Sequence, residues 1–216
     1  MRKPLRLTLA TAPAGPPVGL DAVKAALRLD DDQTLEDALV AGLVRAATEA
    51  CEAFTGRALI TQTWTLFRDA WPGAPAEETL YEGWRHGIAA PAQARFLALH
   101  KPPLQAVVHV RTFDESDAET TWPAANYFVD TASEPGRLVA RSGQVFPAPA
   151  RAANGIEVQF TAGYGSDPTD VPEALRQGLL QMLANLFENR GEGAPETALH
   201  DSGAAALWQP FRVLEL

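Results

Sequence analysis

The chain has 216 residues, of which 46% are hydrophobic and 21% are charged, and its formal net charge is −9. This composition is typical of a folded domain and excludes an intrinsically disordered chain. The acidic balance argues against a free-standing domain for duplex DNA, because such domains carry a basic stripe. No apolar stretch approaches the roughly 18 residues that a membrane-spanning helix needs.

Cys51 is the only cysteine, so the chain can form neither an internal disulfide nor a multi-cysteine metal site. It lies in an alanine-rich run with helical spacing, which predicts a small buried residue. The four histidines match no metal-binding spacing. One of them, His109, alternates with valines and is predicted to be a packed or edge residue of a strand.

Residues 1–17 predict an extended N-terminal arm, because the prolines there lack amide donors and favour an extended path. Leu5, Leu7 and Leu9 alternate with polar residues, which indicates a strand added to a sheet of this chain or of a neighbouring copy. The basic start is not followed by an apolar run, so we expect no secretory signal.

Three main helices are predicted, at about 20–29, 34–55 and 172–189. The second has a capping-box pattern at Thr34 and Asp37 and an apolar stripe of helical period. Gly56 supplies a left-handed stop to this helix. Pro172 marks the start of the third helix, where a missing amide hydrogen is tolerated.

Between about 58 and 161 the apolar period changes to two, which predicts several short strands. Ile156, Val158 and Phe160 alternate with polar residues, as in an antiparallel sheet with one wet face. The stretch from 77 to 91 has no period and is predicted to be a long surface loop. Helices and strands in this order predict an α+β fold with a helical core and a small antiparallel β-rich part.

The C-terminal residues 191–216 are predicted to be a helix and a tail that follow the main domain at 18–190. Leu207, Trp208 and Phe211 lie close together in this tail. Large apolar residues near the end of a chain either fold back on their own core or anchor in another chain. Because tryptophan is enriched in interfaces, the pattern favours the second outcome.

No motif that carries catalysis, binds a cofactor or ligates a metal is found in the sequence. Gly163 and Gly165 lack the third glycine and the following helix of a nucleotide-binding loop, so a strand-ending turn is predicted. Asp30-Asp31-Asp32 lacks the glycine and the distal glutamate of an EF-hand, and is predicted to be a solvated turn. We therefore expect no enzyme, no cofactor and no metal site.

Nine short segments within about residues 18–213 have an order and spacing that carry a resemblance. They are Leu35-Glu36-Asp37-Ala38-Leu39, Glu52-Ala53-Phe54-Thr55-Gly56-Arg57, Ile60-Thr61-Gln62-Thr63-Trp64, Pro102-Pro103-Leu104, Asn126-Tyr127-Phe128-Val129-Asp130, Gly136-Arg137-Leu138, Phe160-Thr161-Ala162-Gly163-Tyr164-Gly165, Val171-Pro172 and Trp208-Gln209-Pro210-Phe211-Arg212. Together they resemble the head-tail connector (adaptor) family of long-tailed phages and of phage-derived gene transfer agents. The arm and the insert at 71–91 are less typical of that family.

The resemblance implies a structural subunit of a virion neck, made in the bacterial cytoplasm. Such a subunit forms a dodecameric ring below the portal, joins the DNA-filled head to the tail and encloses part of the DNA channel. The implied partners are further copies of the chain, the portal and a tail-side stopper or neck protein. DNA would pass without sequence-specific binding, and no membrane would be involved.

The resemblance also implies roles for particular residues. The portal would be bound by tail residues, namely Leu207, Trp208, Pro210, Phe211 and Arg212. Arg57 would form an ion pair between subunits. Leu5, Leu7 and Leu9 of the arm are further candidate inter-subunit residues, on the basis of their alternating pattern and not of the resemblance.

Three alternatives are open at this point. A stopper or a tail terminator is the nearest, although such neck proteins are usually smaller and mostly β. A small particle-associated enzyme would present a pocket with convergent titratable residues. A regulatory module that binds a helix or a peptide would keep its tail folded on its own core.

Overall fold

The computed structural model describes residues 6–30, 36–72, 96–189 and 195–213. Helices and antiparallel strands are both present, which confirms the predicted α+β fold class. The chain divides into two compact units. The β unit comprises Met1–Thr11, Thr63–Leu99 and Leu104–Thr161, and the helical unit comprises Ala12–Gln62, His100–Pro103 and Ala162–Leu216. None of the described helices is both long and apolar enough to cross a membrane.

Eight strands form two sheets within the described residues. They are β1 (Arg6–Thr11), β2 (Gln62–Arg68), β3 (Phe96–Leu99), β4 (Leu104–Phe113), β5 (Glu119–Thr121), β6 (Tyr127–Asp130), β7 (Gly136–Ala140) and β8 (Ile156–Ala162). Five of them form a sheet in the order β1-β2-β8-β4-β5, and three form a second sheet in the order β3-β7-β6. In β8, Ile156, Val158 and Phe160 are fully buried while the alternate residues are partly exposed, so the predicted wet face is confirmed.

The strand predicted in the N-terminal arm belongs to the chain's own sheet. β1 pairs antiparallel with β2, from Arg6 opposite Phe67 to Thr11 opposite Thr63. It is the outermost strand of the five-stranded sheet. Arg6 adds an ion pair with Asp69 at 3.0 Å.

An aromatic cluster forms part of the core of the β unit. The rings of Trp71 and Phe146 stack with their centres 4.3 Å apart, and Trp122 lies 5.2 Å from Phe146. The indole N–H of Trp71 donates to the carbonyl of Pro147 at 2.7 Å. Trp71 was expected at the start of an atypical insert, but it is a core residue. The loop predicted at 77–91 lies outside the described residues.

The helical unit contains five α-helices among the described residues. They are α1 (Leu20–Leu27), α2 (Asp37–Thr55), α3 (Glu173–Glu188), α4 (Pro195–Asp201) and α5 (Ala204–Trp208). α1 ends at Leu27 rather than at about 29, because Arg28 adopts the left-handed conformation with φ of 57°. α2 ends at Gly56, where φ of 73° confirms the predicted left-handed stop. α2 begins at Asp37 rather than at 34, and its N-cap is Glu36 without a side-chain capping bond, so Asp37 does not take the third position of the predicted capping box. Thr34 lies outside the described residues.

The core of the helical unit is formed mainly by α1, α2, α3 and α5. Its fully buried side chains include Val23, Val40, Ala47, Cys51, Leu175, Leu179, Met182, Ala204 and Trp208. The predicted burial of Cys51 is therefore confirmed. Lys24 of α1 is 4% exposed and forms an ion pair with Asp37 of α2 at 2.9 Å, which ties the first two helices together.

Three segments that are distant in the sequence meet through backbone hydrogen bonds in the helical unit. Such bonds satisfy main-chain groups that would otherwise be buried without partners. The amide of Ala58 donates to Pro102, that of Tyr164 to Leu59 and that of Thr61 to Gly165, at 3.1, 3.0 and 2.8 Å. Several segments of the resemblance therefore meet at this one backbone junction.

Gly163 and Glu52 each make a contact on which the junction depends. Gly163 has φ of 132°, and a Cβ there would lie only 2.6 Å from the carbonyl of Ile60, so no other residue fits. The carboxylate of Glu52 accepts hydrogen bonds from the amide of Leu59 at 2.9 Å and from Nε2 of Gln62 at 2.8 Å. The predicted turn after β8 is confirmed and is fixed by this close approach.

A substitution at Gly178 tests the packing of α3 against α5. A Cβ at Gly178 would clash with the indole nitrogen of Trp208 and lie 2.8 Å from its Cδ1. Because Trp208 is fully buried, its ring cannot move into solvent. We expect Gly178→Ala to lower the free energy of unfolding by about 1–3 kcal/mol, the usual cost of overpacking a core. Urea denaturation followed by circular dichroism measures this loss.

The control for this variant is Gly42→Ala in α2, where a Cβ would meet only the end of the Arg45 side chain at 3.9 Å. The helix propensity of alanine should raise the stability of this variant by up to about 1 kcal/mol. Equal losses in the two variants would contradict the close contact between Gly178 and Trp208.

The reactivity of Cys51 tests the core of the helical unit. Burial raises the pKa of the Cys51 thiol far above its ordinary value. Because the thiolate is the reactive form, we expect a disulfide reagent at pH 8 to label the native chain on the order of 100-fold or more slowly than the urea-unfolded chain. The absorbance of the released thiol measures both rates. Rapid stoichiometric labelling of the native chain would show that α2 is not packed as described.

Candidate functional site

The C-terminal segment carries the residues that the sequence analysis assigned to partner binding. Among them, Trp208 is fully buried. Its indole N–H donates to the carbonyl of Leu175 at 3.1 Å, and its ring centre lies 6.2 Å from that of Phe54. Trp208 is therefore a core residue of the helical unit, and its indole is buried rather than presented to a portal as expected from the resemblance.

Beyond Trp208, backbone groups fasten the tail to the end of α2. Nε of Arg57 donates to the carbonyl of Phe211 at 2.5 Å. The amide of Val213 donates to the carbonyl of Thr55 at 2.8 Å. Arg57 is only 7% exposed and holds the tail of its own chain, whereas the resemblance implied an ion pair between subunits. The tail folds back on its own chain, whereas the sequence pattern favoured anchoring in another chain.

The outer surface of the docked tail remains accessible. Pro210 and Arg212 are exposed, and Leu207 and Phe211 are half-buried. The guanidinium of Arg212 lies 5.6 Å from the ring centre of Phe54, within the range of a cation–π contact. Four of the five predicted tail residues are therefore at least partly exposed, and of these Leu207 and Phe211 also pack against the core of the helical unit.

The N-terminal strand offers a second candidate surface. Leu9 is 45% exposed and Leu7 is half-buried, on a strand with no neighbour on its outer side within the described sheet. An outermost strand presents backbone groups that can pair with another chain. Leu5 lies outside the described residues.

One exposed apolar surface was not anticipated from the sequence. Phe96 of β3 and Phe128 of β6 are 45% and 53% exposed. The run Tyr127-Phe128-Val129 is continuously apolar, so its pattern gives no sign of which face is covered. The only available signal was the presence of phenylalanine in short strands, and that is equally typical of a core.

The described residues do not assemble an obvious catalytic or metal centre. His109 meets Glu157 at 2.7 Å as a cross-strand contact in the five-stranded sheet, consistent with the packed residue that was predicted. Glu119 binds Arg111 of β4 at 2.9 Å. Within residues 6–30, 36–72, 96–189 and 195–213, no group of three His, Cys, Asp or Glu side chains is placed to hold a metal ion.

The comparisons with known proteins give structural matches only. No protein-family profile matches the sequence, and no curated protein matches it significantly. Among solved structures, a chain from the neck of an empty gene transfer agent (GTA) particle, computed with C6 symmetry, superposes with a TM-score of 0.74. It is 26% identical, over 97% of this chain and 96% of that chain.

Two further structures give the same result. A chain from the virion of a native GTA particle is 24% identical, with a TM-score of 0.74 over 98% of this chain and 97% of that one. A chain from the neck of a native GTA particle, computed with C12 symmetry, is 24% identical, with a TM-score of 0.71 over 97% and 96%. The protein therefore has the fold of a structural chain of GTA particles.

Replacing Trp208 tests whether the tail is anchored through the core. We expect Trp208→Ala to lower the free energy of unfolding by about 3–5 kcal/mol, because it empties a buried site and leaves the carbonyl of Leu175 without its donor. Chemical denaturation measures the loss. Gln209→Ala changes the exposed neighbouring residue and should stay within about 0.5 kcal/mol of the wild type. If the Trp208→Ala variant had unchanged stability, Trp208 would not be a core residue and would again be a candidate for partner binding.

Proposed function

We propose that the chain is a structural subunit of the neck of a tailed-phage-like particle, where it joins the head to the tail. The observation that carries the proposal is the likeness to a chain from the neck of an empty GTA particle, at 26% identity over 97% of this chain. That likeness extends over both units of the chain. The subunit acts by assembly and not by catalysis.

The assembly is a ring of identical copies, in our proposal a dodecamer. The similar necks were computed with C6 and with C12 symmetry, and a sixfold axis is contained in a twelvefold one. A closed ring requires each copy to present two different surfaces, one to each neighbour. The exposed edge of β1 with Leu7 and Leu9 is one candidate for such a surface.

The outer surface of the docked tail binds the portal in this proposal. Pro210 and Arg212 supply its exposed part, and Leu207 and Phe211 supply its half-buried part. Trp208 and Arg57 hold this surface in place from within. A tail that is already ordered loses less conformational entropy on binding than a free one.

The opposite side of the ring receives the tail-side stopper or neck protein, and DNA passes through the centre. The formal charge of −9 per copy makes the ring as a whole repel the DNA backbone. Repulsion suits a channel through which DNA slides without specific binding.

The alternatives are less well supported. Stoppers and tail terminators are mostly β, whereas α2 and α3 span Asp37–Thr55 and Glu173–Glu188 here. The docked tail agrees with a regulatory module, but a module that stands alone would not be similar to a neck chain over its full length.

Electron microscopy of particles from cells that encode the chain tests the role. We expect a ring of this chain between head and tail, with its C-terminal tail against the portal. Absence of the chain from purified particles would contradict the proposal.

A pair of exposed tail residues tests portal binding. We expect Pro210→Asp combined with Arg212→Glu to lower the yield of tailed, transfer-competent particles about tenfold or more, because charge reversal at an interface disfavours docking. The melting temperature should change by less than about 2 °C, since both side chains are exposed. Particle counts and thermal melts measure the two effects.

The matched control for this pair is Arg45→Glu on α2, an exposed arginine outside the tail. It introduces one of the same charge reversals and should leave the particle yield within about twofold of the wild type. An equal loss of particle yield in the control and in the tail variant would contradict portal binding by the tail surface.

A further inference from the structure

The three-stranded sheet carries a row of apolar side chains on its outer face. Phe96 of β3 lies opposite Val139 of β7, and Val139 lies opposite Phe128 of β6. Residues opposite one another in neighbouring strands point to the same side of a sheet. The two phenylalanines therefore flank Val139, with exposed fractions of 45% and 53%. We call these three residues the aromatic row.

The other face of the same sheet is already covered. Leu97 and Leu138, the next residues along β3 and β7, pair with each other and are 1% and 0% exposed. This side of the sheet therefore faces the core of the β unit. On a sheet with one wet face the exposed positions are normally polar, so two phenylalanines there require another explanation.

Charged groups border the aromatic row. Arg137 lies two residues from Val139 on β7, and its guanidinium is 5.4 Å from the ring centre of Phe96. It also donates to Asp130 from both Nε and Nη2, at 2.9 and 2.6 Å. Hydrogen bonds from Ser133 and Arg137 lower the pKa of Asp130 to about 2, so the ion pair stays charged at neutral pH. Aromatic anchors beside arginine, with a polar rim, are typical of the centre of a protein–protein interface.

We propose that the aromatic row packs against a second copy of this chain and anchors the contact between neighbours in the ring. The inference rests on the proposed neck function and names one of the two surfaces that a closed ring needs. The similar neck computed with C6 symmetry points to identical copies as the occupant. Ring contacts are heterologous, so the row meets a different surface of the neighbour and not the neighbour's own row.

Photo-crosslinking within particles tests the contact. Phe128→p-benzoylphenylalanine is introduced in the cells that produce the particles, and purified particles are irradiated. We expect crosslinked oligomers of the 23.2 kDa chain, with the crosslink mapped to a peptide outside the aromatic row. Val108→p-benzoylphenylalanine is the matched control, because Val108 is 54% exposed on a strand of the other sheet. It should give a different crosslink pattern.

Other crosslinking results would contradict either the proposed contact or the neck function. Crosslinks to another neck protein, to residues 73–95 of the same chain or to Phe128 of another copy would overturn the proposed contact while the neck function stands. A chain that is absent from the particles would overturn the neck function itself.

A pair of polar variants gives a second readout. Phe96→Ser combined with Phe128→Ser should lower the yield of tailed particles about tenfold or more, as expected for the loss of anchor residues. Val108→Ser should leave the yield within about twofold. Circular dichroism and thermal melts of the purified chains show whether each variant is folded. A folded double variant with normal particle yield would overturn the proposal.

Discussion

The contact between Trp208 and Gly178 fixes the position of the C-terminal segment. The indole occupies a space that exists only because α3 has no side chain at position 178. Its hydrogen bond to the carbonyl of Leu175 orients the ring, and α5 and the turn Gln209–Phe211 follow from that position. The tail is therefore part of the fold of the helical unit before any partner arrives. A surface that is ordered in advance binds with a smaller entropy loss than a free segment does.

Much of the architecture could be predicted from the sequence because burial leaves a period in it. The alternation of Ile156, Val158 and Phe160 predicted β8 and its wet face, and Gly56 predicted the end of α2. The turn at Gly163 was also predicted, although the reason for it was not. That reason is the approach of the Ile60 backbone, and a contact between distant segments leaves no local pattern.

The candidate site was harder to predict, because several of its residues suit a role inside their own chain and a role in an interface equally well. A tryptophan near the end of a chain suits an interface and a core equally well, and only the glycine in another helix decides for the core in the case of Trp208. Arg57 suited an ion pair between subunits, but its partner is a carbonyl of its own tail. Phe128 lies in a continuously apolar strand, so only the structure reveals that its face is uncovered.

The attachment of the tail through its main chain lets residues on its outer surface vary during evolution. The two bonds at the end of α2 use the carbonyls of Phe211 and Thr55 and the amide of Val213, so they constrain the main chain of the tail and hardly its side chains. Arg57 supplies the side chain of the first of these bonds. The exposed side chain of Pro210 takes part in neither bond, so mutations there can accumulate without breaking them. Recognition of a new partner can evolve there while the subunit keeps its fold.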